Sequence, residues 1–132
     1  YDFKLNGFGF HKFMLSMNCD LFFEMFSNCT DRDSFQVPFG NNSIENLHNF
    51  LYQQQISNDC HGDFNLADYL GSSNWVNSIV ERTIKDLSDS NLLDIIKLCK
   101  RANNSKLKLV ITDYVFDLNI IPDDIVKELL FF

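Results

Sequence analysis

Three histidines, four cysteines and two aspartate pairs are the side chains with the strongest claim to chemistry in this chain. His11 has the residue type of a general base or a metal ligand. His48 stands beside Leu47 within helical spacing and reads as a surface or rim residue. Cys60-His61 is half of what a zinc site needs, because a tetrahedral site takes four ligands, usually paired at short spacings. No second pair occurs, so a plain loop is expected there. Asp113 and Asp117 share a helix face at i, i+4, and Asp123 and Asp124 are adjacent. Paired carboxylates do acid–base work when burial or mutual repulsion splits their pKa values. These pairs fall on the polar faces of amphipathic segments, where solvated charge is expected. The sequence holds no G-x-S-x-G elbow, no Gly-rich phosphate loop and no H-E-x-x-H. The expectation is a non-catalytic chain with no cofactor and no metal.

The elements that carry these residues are read from turn chemistry and hydrophobic period. Phe3-Lys4-Leu5, Asn6-Gly7 and Phe8-Gly9-Phe10 predict a β-hairpin, since Asn-Gly is the favoured two-residue turn. From His11 the spacing becomes helical through Phe13, Met14 and Met17. It resumes after a break near Asn18 with Leu21, Phe22, Met25 and Phe26. Phe22, Phe23, Met25 and Phe26 cannot all face one core from one helix, so that helix is either buried on two sides or offers the excess to a partner. Ser34 to Phe39 alternates with period two, and Pro38 makes it an edge strand or ends it. Ser43 is the expected N-cap of a helix with Ile44, Leu47 and Leu51 on its buried face. After a polar stretch from Gln53 to Gly62, helical spacing returns at Phe64, Ala67 and Leu70, and again from Trp75 to Leu87.

Beyond Ser88-Asp89-Ser90, one helix carries Leu92, Ile95, Ile96 and Cys99 and ends near Asn103-Asn104. A second carries Leu107, Val110, Ile111, Tyr114 and Leu118. Pro122 suits the first turn of a last helix whose stripe is Ile125, Val126, Leu129 and Leu130, with Asp123 and Asp124 favouring its positive end. The fold class expected is α+β, mostly helical.

Composition narrows the partners. The 132 residues suit one domain or a domain with an appendage, and 45% hydrophobic content with 14 Phe supplies a core. A net charge of −7 without Lys/Arg clusters argues against direct nucleic-acid binding and against an anionic membrane surface. No apolar run approaches the roughly 20 residues that span a bilayer. The sequence given starts at Tyr1 and no basic-then-apolar stretch follows, so no signal peptide is expected, and Leu129-Leu130-Phe131-Phe132 is expected to pack against further chain. Cys19, Cys29, Cys60 and Cys99 lack a C-x-x-C spacing, so reduced thiols and a cytoplasmic or nuclear home are expected. Sequons at Asn28, Asn41 and Asn103 are what chance provides in so Asn-rich a chain.

Several short strings in one order resemble the BTB/POZ family. Phe8-Gly9-Phe10-His11-Lys12-Phe13-Met14-Leu15 is similar to that family's F-x-x-H-K/R-x-x-L, and Leu21 to Phe26 to its Y-F-x-x-M-F. Val37-Pro38-Phe39, Leu47 to Tyr52 and Phe64 to Leu70 resemble its next strand and two following helices. Leu87 to Leu93, Leu98 to Ala102 and Leu107-Lys108-Leu109 resemble the opening of the helical extension called BACK or three-box. The resemblance implies a BTB/POZ fold, a small sheet flanked by helices, over residues 1–87, and a truncated BACK-like extension of antiparallel helices over 88–132. It also implies that His11 is structural, opening a helix and hydrogen-bonding locally.

The function implied is a protein–protein interaction module, a homodimer or an adaptor on a cullin-type ubiquitin ligase. Its partner-facing residues would be Met25, Phe26, Thr30, Asp31 and Arg32, with Ser90 and Asn91 near the extension. At Thr30-Asp31-Arg32 the chain lacks both residues of the family's hydrophobic-x-Glu motif, and the family's usual first strand is missing or reduced to Tyr1-Asp2. The alternative is a non-catalytic structural subunit packed in a large assembly.

Overall fold

Asn6 and Gly7 turn the chain back on itself with φ of 48° and 85°, the left-handed pair that matches the twist of the flanking strands. The computed structural model describes residues 1–132 except Thr30, Asp59, Asn103, Phe131 and Phe132, together with the side chains of His61 and Ala102. The hairpin joins β1 (Phe3–Leu5) to β2 (Phe8–Phe10), antiparallel with Phe3 opposite Phe10 and Leu5 opposite Phe8. A third strand, β3 (Ser34–Phe35), lies parallel to β1, so the sheet order is β2-β1-β3. The described residues are thus mostly helical with one small mixed sheet, an α+β composition. They fall into two compact units, Tyr1–Ile79 and Val80–Phe132.

In the first unit the strand expected from Ser34 to Phe39 is only two residues long. The alternation was a burial pattern rather than a ladder: Val37 is buried and Phe39 half-buried, but Pro38 has no N–H to give. The Asn6 side chain stands in for the missing ladder. Its Oδ1 accepts from Val37 N at 2.7 Å, and its Nδ2 donates to Val37 O at 3.0 Å and to Phe39 O at 3.2 Å.

Helices α1 (Lys12–Asn18) and α2 (Asp20–Asn28) follow the hairpin, separated by Cys19, whose backbone is extended at φ −135°, ψ 118°. The Asp2 carboxylate accepts from Lys12 N at 2.8 Å, so a residue before the hairpin satisfies one of the orphan N–H groups of α1. That bond holds the Asp2 carboxyl below its usual range. Phe3, Leu5 and Phe10 from the sheet, Leu15 from α1, and Phe22 and Phe26 from α2 form one apolar core.

Helix α3 (Asn41–Gln53) begins two residues before the expected cap at Ser43. Gly40 is the N-cap, extended at φ −72°, ψ 161°, and its carbonyl already accepts from Ile44 N at 3.3 Å. Ile44, Leu47 and Leu51 are buried as the spacing requires. A single 3-10 turn, Cys60–Asp63, leads into α4 (Phe64–Leu70), which ends on Gly71 at φ 68°. Asp63 is buried, with its two carboxylate oxygens 3.2 and 3.0 Å from Asn46 Nδ2, a link from α3 to the start of α4. Helix α5 (Ser73–Asp86) opens in this unit with buried Trp75 stacked on Phe50, ring centroids 6.0 Å apart.

The second unit holds the end of α5, α6 (Leu92–Ala102), α7 (Ser105–Phe116) and α8 (Asp123–Leu129). Asn104 caps α7, its side chain accepting from Leu107 N at 3.0 Å. Ile95, Ile96 and Cys99 meet the expectation of a buried α6 stripe, and Leu107, Ile111 and Val115 are buried on α7. Lys100 Nζ and Glu128 Oε2, 2.9 Å apart, join α6 to α8. The expected stripe of α8 is corrected: Ile125 is buried and Leu129 half-buried, whereas Val126 and Leu130 are exposed. A helix of seven residues has one inward face, and positions i, i+4 occupy it. Pro122 precedes that helix as its N-cap residue rather than standing in its first turn. Helix α6 ends at Ala102, beside the expected Asn103-Asn104, while Asn103 itself and Phe131 and Phe132 of the terminal apolar run lie outside the described residues.

Candidate functional site

His11 occupies the N-cap position of α1, as the family resemblance implied; its carbonyl bonds locally, accepting from Leu15 N at 3.2 Å, while its N–H and ring engage a distant residue. Its backbone N–H donates to the Tyr52 hydroxyl at 2.8 Å, and its ring Nδ1 lies 2.9 Å from the same oxygen. His48 stacks on Tyr52 with centroids 4.4 Å apart, and its Nε2 lies 3.2 Å from the Tyr1 hydroxyl. Both imidazoles are therefore built into an aromatic cluster with Tyr1, Phe10 and Tyr52 that fastens the hairpin to α3. Partial burial pushes the Tyr52 phenol above its ordinary pKa.

The carboxylate pairs are solvated. Asp113 and Asp117 are exposed on and just beyond α7, and Asp124 uses Oδ1 to accept from Ile125 N at 2.9 Å. Among the described residues no group of three or more His, Cys, Asp or Glu is placed to hold a metal ion. The expected pair Cys60-His61 is described only for Cys60, which is buried.

None of the four cysteines is in a disulfide; Cys19, Cys60 and Cys99 are buried and Cys29 is exposed. Burial pushes the Cys19 thiol up to about 12. The neighbouring Ser72 hydroxyl favours the thiolate slightly, yet Ser72 Oγ itself makes no well-aligned hydrogen bond, so the sulfur contact is a weak one. Cys29 Sγ lies 3.2 Å from Asp31 Oδ1, and that hydrogen bond raises its pKa too. Since the thiolate is the reactive form, iodoacetamide added to the native protein is expected to label Cys29 first and Cys19 last. Peptide mass mapping after a short exposure checks the order.

The same shift has a pH consequence. Between pH 9 and about 12 the Cys19 thiol is protonated in the folded chain and ionised in the unfolded one. The folded state then binds more protons, so its contribution to stability falls as pH rises through that window. Denaturant midpoints at pH 8 and pH 10 should show the loss, and Cys19→Ala should reduce it.

The residues expected to face a partner divide in their placement. Phe26 is buried, its ring 5.0 Å from Phe3 and 5.7 Å from Phe22, and belongs to the core. Met25 is half-buried on α2. Thr30 lies outside the described residues. Asp31 and Arg32 are exposed but locally engaged: Arg32 Nε donates to Ser34 O at 3.2 Å, and its guanidinium sits 4.9 Å over the Phe35 ring. Ser90 and Asn91 belong to the second unit. Asn91 accepts from Ser88 N and donates to Asp86 O, both at 2.8 Å, fastening the linker between α5 and α6.

Three large apolar side chains of the first two helices, none of them among the residues expected to face a partner, are open to solvent. On α1, Phe13 is 60% and Met17 75% exposed, and on α2 Phe23 is 60% exposed. Phe13 and Met17 lie one turn apart on one helix face. Met17 and Phe23, with Ser16 and Asp20, line a shallow cleft between the two helices. Leu15 and Phe22, their neighbours in sequence, are fully buried. The apolar excess of these helices therefore points outward rather than into a second buried side. Contiguous exposed apolar side chains of this size mark interaction surfaces more often than isolated ones do.

Among the described residues no helix is long and apolar enough to cross a membrane. No protein-family model matches the chain, and a comparison with curated proteins finds no relative.

Proposed function

We propose that this chain is a BTB/POZ-type protein–protein interaction module, residues 1–87, carrying the first helices of a BACK-like extension, residues 88–132. In this reading it does no chemistry. One surface holds a scaffold such as a cullin of a ubiquitin ligase, a separate domain selects the client, and reduced thiols suit a cytoplasmic or nuclear setting. The observation that carries the reading is the open Phe13–Met17–Phe23 face on α1 and α2. Element order supports it: a hairpin, two short helices, a third strand and then helices. Four of the strings that resemble the family fall on β2 and α1, α2, α3 and α4 in turn, whereas Val37-Pro38-Phe39 follows β3 and lies on no strand.

Titration of a labelled cullin N-terminal domain with the purified chain is the test. The adaptor reading expects saturable binding with a Kd of about 1 μM or tighter, a standard free energy of about −8 kcal/mol. Absence of saturation would sink it. The alternative, a packing subunit of a large assembly, draws on exposed Leu109, Phe116 and Ile120 in the second unit. Such a subunit would leave the cullin domain unbound.

A further inference from the structure

We infer that the open face of α1 and α2 receives an apolar segment of a different protein whose flanks carry Lys or Arg, rather than a second copy of this chain. The inference rests on the interaction-module reading and names the partner's chemistry. Its ground is the charge around the apolar side chains. Asp20 lines the cleft itself, and Glu24 follows one turn later on the same helix, exposed beside Phe23.

Lys12 is the only cation in the sequences of α1 and α2. Its ammonium lies 5.8 Å over the Phe26 ring and interacts with Asp31, so it is committed elsewhere. From α4, the loop at Gly71 packs on Asp20, and Asp68 three residues earlier is a further exposed acid. At the Phe13 end the His11 ring lies 5.5 Å from the Phe13 ring and is bonded to Tyr52.

A two-fold dimer would set this surface against itself, because an isologous interface repeats the same patch on both sides. Asp20 and Glu24 of one copy would then face acids of the other with no cation between them, and like-charge juxtaposition disfavours a partner strongly. The rim is complementary to a basic one instead. A cleft between two helices suits a segment with apolar residues at helical spacing, the helix-in-groove mode.

The test uses two synthetic helical peptides, one with a Leu stripe flanked by Lys and a twin with Glu in place of Lys, followed by fluorescence anisotropy. The Lys peptide is expected to bind at least about tenfold tighter than its twin. Phe23→Asp, at an exposed position, should abolish most of that binding. Asp20→Asn with Glu24→Lys should erase the preference, whereas Asp113→Lys with Asp117→Asn, the same change in net charge far along the sequence, should leave it intact.

Equal effects of the two charge variants would overturn the inference, because attraction would then come from the whole chain. So would a homodimer that Phe23→Asp dissociates. A chain that binds the cullin domain but neither peptide overturns the partner chemistry alone. One that binds neither overturns both readings.

Discussion

Replacing Asn6 with Ala is expected to destabilise the first unit by about 3 kcal/mol, a large fraction of the roughly 5–15 kcal/mol typical of a domain. The side chain makes three hydrogen bonds to the backbone of Val37 and Phe39, each worth about 1 kcal/mol net. Ala would also have to hold a φ of 48°, which costs a residue with a Cβ and no local polar group about 1 kcal/mol. These terms overlap, because releasing the 37–39 segment lets the turn relax, so the total falls below their sum. Asn6→Asp separates them: it keeps the turn preference and the acceptor for Val37 N but loses both donors. It should fall between Ala and the native chain. Urea unfolding followed by fluorescence reads this unit directly, since the only tryptophan, Trp75, is buried within it. A loss under about 1 kcal/mol for Asn6→Ala would mean that the side-chain bonds do not hold the edge of the sheet.

The second large effect is a contrast between neighbours. Phe22→Ala is expected to cost about 3–5 kcal/mol, whereas Phe23→Asp should change stability by no more than about 0.5 kcal/mol. Phe22 is fully buried, with the rings of Phe3, Phe26 and Phe35 at 5.8, 5.7 and 6.2 Å. Truncation leaves a cavity bounded by a sheet and its own helix, neither of which can collapse into it. Phe23, the next residue, is turned about 100° around α2 and is 60% exposed. Its substitution by Asp adds a like charge near Asp20 and Glu24, a repulsion of a few tenths of a kcal/mol on a helix surface. Thermal or urea midpoints of the two variants provide the check. Comparable losses would mean that Phe23 is structural and that the open face is not available for a partner.

The pair also shows where sequence reasoning ran out. Helical spacing located α1 and α2 and the break between them, but Phe and Met are equally apolar whether they fill a core or face a partner. Which of Phe13, Leu15, Phe22 and Phe23 points inward depends on where the sheet lies, and that is set by pairings made beyond the helix. The hairpin was fully legible because Asn-Gly acts locally through backbone conformation. The faces of α3 and α4 were legible because each buries a single stripe.

The strand at Ser34 was read too long because period-two burial and ladder bonding are separate properties that usually coincide. Asn6, 31 residues away from Val37, separated them. His11 offers a similar case: its position at the start of α1 was visible, but its partner Tyr52 is 41 residues away. Nothing in the neighbourhood of either residue marks the other. The stripe of α8 failed for a simpler reason: four apolar residues in a short helix span more than the one face its packing uses.

The proposal that the chain acts by holding a partner is tested most directly by molar mass. Size-exclusion chromatography with light scattering would be run on the 15.4 kDa chain, on a cullin N-terminal domain, and on their mixture. The account predicts a new peak containing both proteins, with a mass equal to their sum in whole-number ratio. Two peaks at the masses of the separate proteins, at concentrations well above 1 μM, would contradict it.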